Sequence, residues 1–149
     1  MNFFRASVFD PGLIIGQILC MQSVFYTAET ILMFAWSFGN FEPSVEQIFS
    51  LQISRPMTII HLLSVIVCAF AMPFVIERAK QCLDFAFTLH FFHAMISCVY
   101  NKALPLQLTW WIIQFLGVFI CTVIGEYLCM KRELMEIPLT ITPPKVIDT

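Results

Sequence analysis

Apolar residues are concentrated in four long runs along the chain, and most polar residues lie between them. The runs are 19 to 26 residues long and hold 91 of the 149 residues but only three of the 18 charged ones; they cover residues 13–38, 56–76, 82–100 and 106–130. A helix needs about 20 apolar residues to cross a bilayer, whereas barrel strands would be about ten residues long and alternating. The pattern predicts an all-α polytopic membrane protein, a four-transmembrane-helix bundle forming one domain over residues 1–149, with a tail over residues 131–149.

Short signals around the runs predict where helices begin and end. Asp10 followed by Pro11 offers an N-cap acceptor and a fixed φ, so the first helix begins near Pro11. Ser44 and Gln47 have the spacing of a capping box and predict a short helix on the membrane interface. The last helix is expected to extend into water and stop at Pro138. The short connections after the second and third runs predict that consecutive helices are antiparallel neighbours.

Composition narrows the possible function classes. Only 12% of the residues are charged, against roughly 25% in ordinary soluble domains. A soluble globular protein with so few charged residues would lack enough polar surface, which excludes that class. A disordered chain would be less apolar, so intrinsic disorder is excluded as well. The eight Lys and Arg residues are too scattered for a nucleic-acid partner. No catalytic motif is present, so the chain is not predicted to be an enzyme.

The distribution of basic residues predicts the orientation in the membrane. With four crossings, both termini and the segment between the second and third runs share one side, which holds six Lys and Arg residues. The other side holds two, Arg55 and Lys102. Basic residues in short flanking segments favour the cytosolic side, so both termini are expected in the cytosol.

Two stripes of polar or small residues lie inside the predicted spans. Gln22, Tyr26 and Glu29 share one face of the first helix. Small residues permit close helix approach and polar side chains hydrogen-bond between helices, so helix packing is the favoured interpretation. A proton or ion site at Glu29 is the alternative. The fourth helix carries its stripe at spacings of three and four: Gln114, Gly117, Cys121 and Gly125.

His90 and His93 in the third run are about one turn apart, a spacing that metal sites and proton relays use. Zinc requires three or four ligands, so a site would need His61 or Glu29 to converge on this pair. Packing is the favoured interpretation, and neither a metal nor another cofactor is predicted. The alternative function is a small ion- or proton-coupled transporter that uses Glu29, His90 and His93.

Polar residues and cysteines near the predicted cytosolic ends of the spans can be explained without a functional site. Asp84 lies four residues after Lys80 and near the positive end of its helix dipole. The six cysteines form no CxxC pair and are expected to act as buried apolar residues rather than disulfides. Cys82 and Cys129 lie close to basic residues where cytosolic palmitoylation occurs, and their modification stays open.

Four groups of residues carry a family resemblance. They are Phe9-Asp10-Pro11 with Gln17-Ile18 and Met21-Gln22; Lys80 to Phe85 with His90 to His93; Leu108 to Trp111 with Gln114; and Ile124 to Met130 with Glu133-Leu134 and Glu136 to Leu139. In this order, over nearly the whole chain, they resemble the SYS family of integral Golgi membrane proteins. Phe9 departs from the family pattern, which has Trp there, but the exchange is conservative.

The resemblance implies a function that composition does not. Members of the family are four-pass Golgi proteins that act as membrane receptors for an ARF-related small GTPase and support endosome-to-Golgi transport. The expected partners are this GTPase and the lipid bilayer, and homo-oligomerisation stays open. A groove that holds the apolar amino terminus of the GTPase is one possible contact. The other is a surface of cytosol-facing, family-like residues: Lys80, Gln81, Asp84, Glu126, Glu133 and Glu136.

Overall fold

The computed structural model describes residues 10–39 and 42–136, in which all regular secondary structure is helical. Four helical segments are long and apolar enough to cross a membrane, which confirms the predicted all-α, four-span fold. The predicted stop at Pro138 and the tail beyond it lie outside the described residues. The elements are α1 (Pro11–Ser37), α2 (Val45–Ile48), α3 (Arg55–Val75), a 3₁₀ turn (Ala79–Gln81), α4 (Cys82–Asn101) and α5 (Leu108–Glu136).

Two helix ends are determined by single residues, one through a side-chain hydrogen bond and the other through its backbone conformation. The predicted start of α1 is confirmed, because Asp10 Oδ1 accepts from the backbone N–H groups of Gly12 at 3.0 Å and Leu13 at 3.3 Å. The C-terminal end of α4, the third span, is at Lys102, which has a left-handed φ of 51°. That conformation turns the N–H of Lys102 back to Val99 O in the last turn of α4 and ends the helix there.

A short helix, α2, forms between α1 and α3, as predicted. The predicted capping box does not form, because the Ser44 side chain makes no cap hydrogen bond and Gln47 Nε2 donates to Glu42 O at 3.3 Å. The segment is anchored instead by Asn101 at the end of α4, whose Nδ2 donates to Phe49 O at 2.6 Å. A contact between residues 52 positions apart therefore positions this segment.

The four spanning helices form a ring in the order α1, α3, α5, α4. α3 and α4 are therefore diagonal in the bundle, and the prediction that these consecutive helices are neighbours is wrong. The linker between them, residues 76–81, crosses the bundle end with a left-handed Glu77 (φ 65°) and packs against α5. We call the end with Asp10, this linker and the last turn of α5 the terminal side, and the opposite end the loop side.

The interior of the bundle differs between its two halves. The loop-side half contains buried polar residues. The terminal half is filled by apolar residues and thiols that are each at most 2% exposed, among them Met21, Val65, Cys68, Met72, Leu89, Cys121 and Cys129.

The outer surface of the bundle exposes large apolar side chains such as Phe74 and Phe119, as lipid contact requires.

Candidate functional site

Every spanning helix contributes a buried polar side chain to the loop-side half of the bundle. The imidazole rings of α3 and α4 meet there across the bundle diagonal: the His61 ring centre lies 5.3 Å from that of His93 and 5.9 Å from that of His90. The sequence left open whether His61 converges on the histidine pair, and the structure brings it there. We call this group, in which each residue is at most 8% exposed, the polar cluster: Glu29, His61, His90, His93 and Gln114.

The shortest polar contact in the cluster joins α1 to α3. His61 Nδ1 lies 3.0 Å from Glu29 Oε1, and both side chains are buried. The other Glu29 oxygen, Oε2, and the other His61 nitrogen, Nε2, have no hydrogen-bond partner among the described residues. Gln114 Oε1 on α5 is also buried without such a partner. These three atoms can bond a group that enters the cluster.

The two histidines of α4 have different partners. His90 Nδ1 lies 3.0 Å from Ala86 O, and because a carbonyl oxygen only accepts, Nδ1 carries the proton. His93 Nδ1 lies 3.3 Å from the Tyr26 hydroxyl of α1. His90 is therefore fixed within its own helix, whereas His93 links α4 to α1.

A cavity of about 50 Å³ reaches the polar cluster from the loop side. It is large enough to hold water. Its inner wall includes Glu29, His61, His93 and Gln114. The rest of its wall combines apolar residues with uncharged polar ones; they are Ile48, Ile53, Met57, Trp110 and Ile113, and Gln47, Ser50, Gln52, Ser54 and Thr58.

Histidines and a carboxylate are common metal ligands, and the polar cluster contains both. Within residues 10–39 and 42–136, however, no three His, Cys, Asp or Glu side chains are arranged to hold a metal ion. The observed contact between His61 and Glu29 is a hydrogen bond that joins α3 to α1.

The polar and small residues of the two predicted stripes lie between helices. Gln22 Nε2 donates to Leu89 O at 3.1 Å and so links α1 to α4. A Cβ atom at Gly117 would lie 2.5 Å from His90 Nε2, and one at Gly125 would collide with the sulfur of Met72. The small residues therefore let α5 approach its neighbours closely.

The six residues predicted to contact a partner lie near the terminal side but do not form one patch. Asp84 is exposed on α4 and lines neither of the two recesses that the other five residues line. A recess of about 420 Å³ beside α5 is lined by two of them: Lys80 and Glu126. A recess of about 490 Å³ between α1, the linker and α5, which we call the terminal recess, is lined by the other three: Gln81, Glu133 and Glu136.

The terminal recess is acidic. Asp10 before α1 and Glu77 from the linker add to Glu133 and Glu136, and Arg78 is the basic residue among the described residues of the lining. Arg132 lies on the same helix as Glu136 and approaches it at 3.4 Å. Counting Arg132, the described residues at the recess hold four carboxylates against two guanidinium groups, an excess of negative charge.

Arg132 also fixes the end of α3. Its Nη1 donates to Pro73 O at 2.5 Å, and its guanidinium lies 5.2 Å from the centre of the Phe74 ring. Because the last carbonyls of a helix have no partner within the helix, this contact satisfies one of them. Sequence reasoning missed this role, since the two bonded residues are 59 positions apart.

Two further side chains line the terminal recess and bond the last residue of α3 and the linker that follows it. Gln17 Nε2 on α1 donates to Val75 O at 2.8 Å, and Glu133 Oε1 on α5 accepts from the Ala79 N–H at 3.1 Å. Glu133 thus has a structural contact in addition to its place in the predicted contact surface. Cys82 and Cys129 lie nearby with their sulfurs 3.4 Å apart, and both are fully buried.

Comparisons with known proteins identify the family. Residues 4–139 match the family described as "SYS1: Integral membrane protein S linking to the trans Golgi network". A protein of Nematostella vectensis named Protein SYS1 homolog is 37% identical in an alignment 147 positions long that covers 92% of each chain. A Dictyostelium discoideum protein with the same name is 37% identical in an alignment 145 positions long that covers 92% of this chain and 62% of that protein.

A more distant relative is Protein SYS1 of Saccharomyces cerevisiae, which is 23% identical in an alignment 144 positions long that covers 91% of this chain and 70% of that protein. The chain spans less than two thirds of the Dictyostelium relative but nearly all of the Nematostella one. No solved structure matches the chain. The family match includes all four spanning helices, and the chain is a member of the SYS1 family of integral membrane proteins.

Proposed function

We propose that this protein is a Golgi membrane receptor that recruits an ARF-related small GTPase to the trans-Golgi membrane and so supports Golgi vesicle and endosome-to-Golgi transport. Membership of a family described as linking to the trans Golgi network supports the location. The receptor role is what the resemblance of its family-like blocks implies. Most of the chain lies in membrane-spanning helices, which suits a docking role.

The terminal recess is the proposed docking surface for the GTPase. The residues that line it are the observation on which the receptor proposal depends. It gathers Gln81, Glu133 and Glu136 beside the linker, with an excess of carboxylates over basic groups. A partner surface that fits it is therefore basic. The proposal places this side in the cytosol, in line with the excess of Lys and Arg on the terminal side.

A receptor of this kind increases the time that its partner stays on the membrane. A protein held by one weak membrane anchor dissociates readily. A second contact on the same membrane makes rebinding intramolecular, so a modest protein contact is sufficient for stable residence. The short linker and the last turn of α5 can supply such a contact.

Binding to nanodiscs tests this proposal. Purified protein in lipid nanodiscs is mixed with the GTPase in its GTP-bound and GDP-bound forms, and the bound fraction is measured. We expect nucleotide-dependent binding that weakens with salt. The combined change Glu133→Gln and Glu136→Gln removes two charges, and the amide oxygen introduced at position 133 can still accept from the Ala79 N–H. Binding is therefore expected to fall at least several-fold while the linker stays in place. Lys131→Glu, an exposed change at the same end outside the recess lining, is the control.

Two outcomes would contradict the proposal in different ways. Absence of nucleotide-dependent binding to wild-type nanodiscs would overturn the receptor role itself. Binding that is unchanged in the Glu133 and Glu136 variant would overturn the terminal recess as the docking surface. In that case the combined change Lys80→Glu and Glu126→Lys would test the second recess.

Transport, the second candidate function from the sequence, is not supported by the path through the bundle. The cavity that reaches Glu29 and His93 comes from the loop side. Among the described residues, the terminal half of the interior is filled by apolar side chains and thiols. An ion or proton relay across the membrane would need polar groups through this half as well.

A further inference from the structure

We propose that the recess beside α5 that contains Lys80 and Glu126 binds the headgroup of a bilayer phospholipid with a phosphate and a primary ammonium group, as in phosphatidylethanolamine. We call it the lateral recess; its volume is about 420 Å³, and it is lined by Ala79, Lys80, Val123, Glu126, Tyr127 and Met130. It shares no described lining residue with the terminal recess. The lipid site is therefore separate from the proposed docking surface and does not depend on the receptor role.

Helix lengths place the charged residues of the lateral recess at the level of the lipid headgroups. The part of α5 from Leu108, on the loop side, to Glu126 is about 27 Å long at about 1.5 Å per residue. The hydrocarbon core is about 30 Å thick, so Glu126 and Tyr127 lie near its boundary on the terminal side. Lys80 lies in the linker that follows the 21 residues of α3, which span about the same distance. Tyrosine is enriched at this depth, because its ring is apolar and its hydroxyl is polar.

Lys80 and Glu126 give the lateral recess one positive and one negative group. Both side chains are exposed, and neither forms an ion pair with another described residue. The two charges are thus available to a ligand. The Lys80 ammonium can donate to a phosphate oxygen, and the Glu126 carboxylate can accept from an ammonium group. A zwitterionic headgroup matches this pair in the sign of both charges.

The carboxylate of Glu126 determines which headgroup fits best. It can accept hydrogen bonds from the primary ammonium of phosphatidylethanolamine, which has N–H donors. The quaternary ammonium of phosphatidylcholine has no N–H group, so its contact is limited to charge attraction and to the face of the Tyr127 ring. Phosphatidylserine adds a carboxylate that Glu126 repels. Phosphatidylethanolamine is therefore the expected ligand among these three lipids.

An apolar strip leads from the lateral recess toward the centre of the bilayer. Phe115, Phe119 and Val123 are spaced four residues apart on α5, and all three are exposed. Residues at this spacing lie on one face of a helix. The strip can bind an acyl chain of the lipid whose headgroup occupies the recess. A soluble phosphoethanolamine would leave this strip unused, so we assign the site to a lipid of the bilayer.

Retention of added lipid tests the site. The full chain in detergent micelles is mixed with equal amounts of phosphatidylethanolamine and phosphatidylcholine that have the same acyl chains. Native mass spectrometry then measures how much of each lipid remains bound. We expect wild type to retain more phosphatidylethanolamine. In Glu126→Gln, the ratio of bound ethanolamine lipid to bound choline lipid is expected to fall about threefold to fivefold.

Lys80→Met gives a different pattern, which separates the two charged contacts. Lys80 binds the phosphate that both lipids carry, so retention of both is expected to fall by a similar factor. The changed side chains are exposed, so the fold is expected to be retained. Asp84→Asn and Lys131→Met are the matched controls, because they change exposed residues outside the recess lining and are expected to bind both lipids like wild type.

Three results would overturn the proposal. The first is equal retention of the ethanolamine and choline lipids by wild type, since the recess would then not recognise the primary ammonium. The second is a lipid ratio in Glu126→Gln that is the same as in wild type or in Asp84→Asn. The third is stronger retention of phosphatidylserine than of phosphatidylethanolamine in the same assay, which would assign the recess to an anionic lipid.

Discussion

Gly117→Ala tests how α5 is seated against the polar cluster. The added Cβ would lie 2.5 Å from His90 Nε2, 3.1 Å from His90 Cδ2 and 3.4 Å from Val65 Cγ2. His90 is 4% exposed and held by its bond to Ala86 O, so its ring cannot move away without losing that bond. Either His90 or α5 must shift.

The expected change in the free energy of unfolding has three contributions, of which two destabilise the protein and one stabilises it. Overpacking of an interior costs about 1–3 kcal/mol, and loss of the His90 bond costs about 1 kcal/mol when it occurs. Alanine gains about 1 kcal/mol over glycine in helix propensity. We therefore expect a net destabilisation of about 1–2 kcal/mol, or about tenfold in the unfolding equilibrium constant. Gly16→Ala, where a Cβ meets no atom within 4 Å, is the matched control and is expected to be neutral or stabilising.

Equilibrium unfolding in mixed micelles, followed by far-ultraviolet circular dichroism, measures both variants. His90→Ala combined with Gly117→Ala should recover part of the loss, because removal of the ring makes room for the methyl group and couples the two sites. Equal stability of Gly117→Ala and Gly16→Ala would show that α5 is not closely packed at Gly117, and a cost that is the same with and without the His90 ring would show that this ring is not the obstacle.

Two further predictions follow from single contacts, and a third follows from the predicted orientation in the membrane. Asp10→Ala removes the cap of α1 and is expected to cost about 1 kcal/mol in the same unfolding assay, whereas Asp10→Asn retains an acceptor and is expected to cost less. Arg132→Ala removes the donor to Pro73 O and the contact with Phe74, with an expected loss of about 1–2 kcal/mol; Arg132→Lys should recover only part, because an ammonium lacks the planar fork. A glycosylation acceptor placed in residues 42–54 should be modified in cells and one added after residue 149 should not, and the reverse pattern would contradict the orientation.

Much of the fold was predictable because the local composition of the chain is sufficient to identify a membrane span. Each run holds at most one charged residue, which is sufficient to identify a span, and Asp10 with Pro11 is sufficient to start α1. The order of helices in the bundle was not predictable, because a short linker can join neighbours or cross the bundle end. The left-handed Glu77 and the contacts from α5 decide between these, and both depend on tertiary structure.

The candidate sites were predictable in their residue types but not in their grouping. Glu29, His90 and His93 stood out as polar residues within spans, yet only the packing of α1 against α3 pairs Glu29 with His61. The capping box at Ser44 failed because Gln47 turns to Glu42 instead. The six residues of the predicted contact surface separated because Lys80 and Gln81, though adjacent in sequence, line different recesses.

Recruitment of the GTPase to Golgi membranes in cells is the decisive test of the receptor role. In cells that lack their own SYS1 protein, the fraction of the ARF-related GTPase on Golgi membranes is measured after expression of this chain. Wild type and Lys131→Glu are expected to restore Golgi localisation, and the combined change Glu133→Gln and Glu136→Gln is expected to reduce it several-fold at equal receptor abundance. If wild type reaches the Golgi in normal amounts and the GTPase remains cytosolic, the account of this protein as its receptor is contradicted.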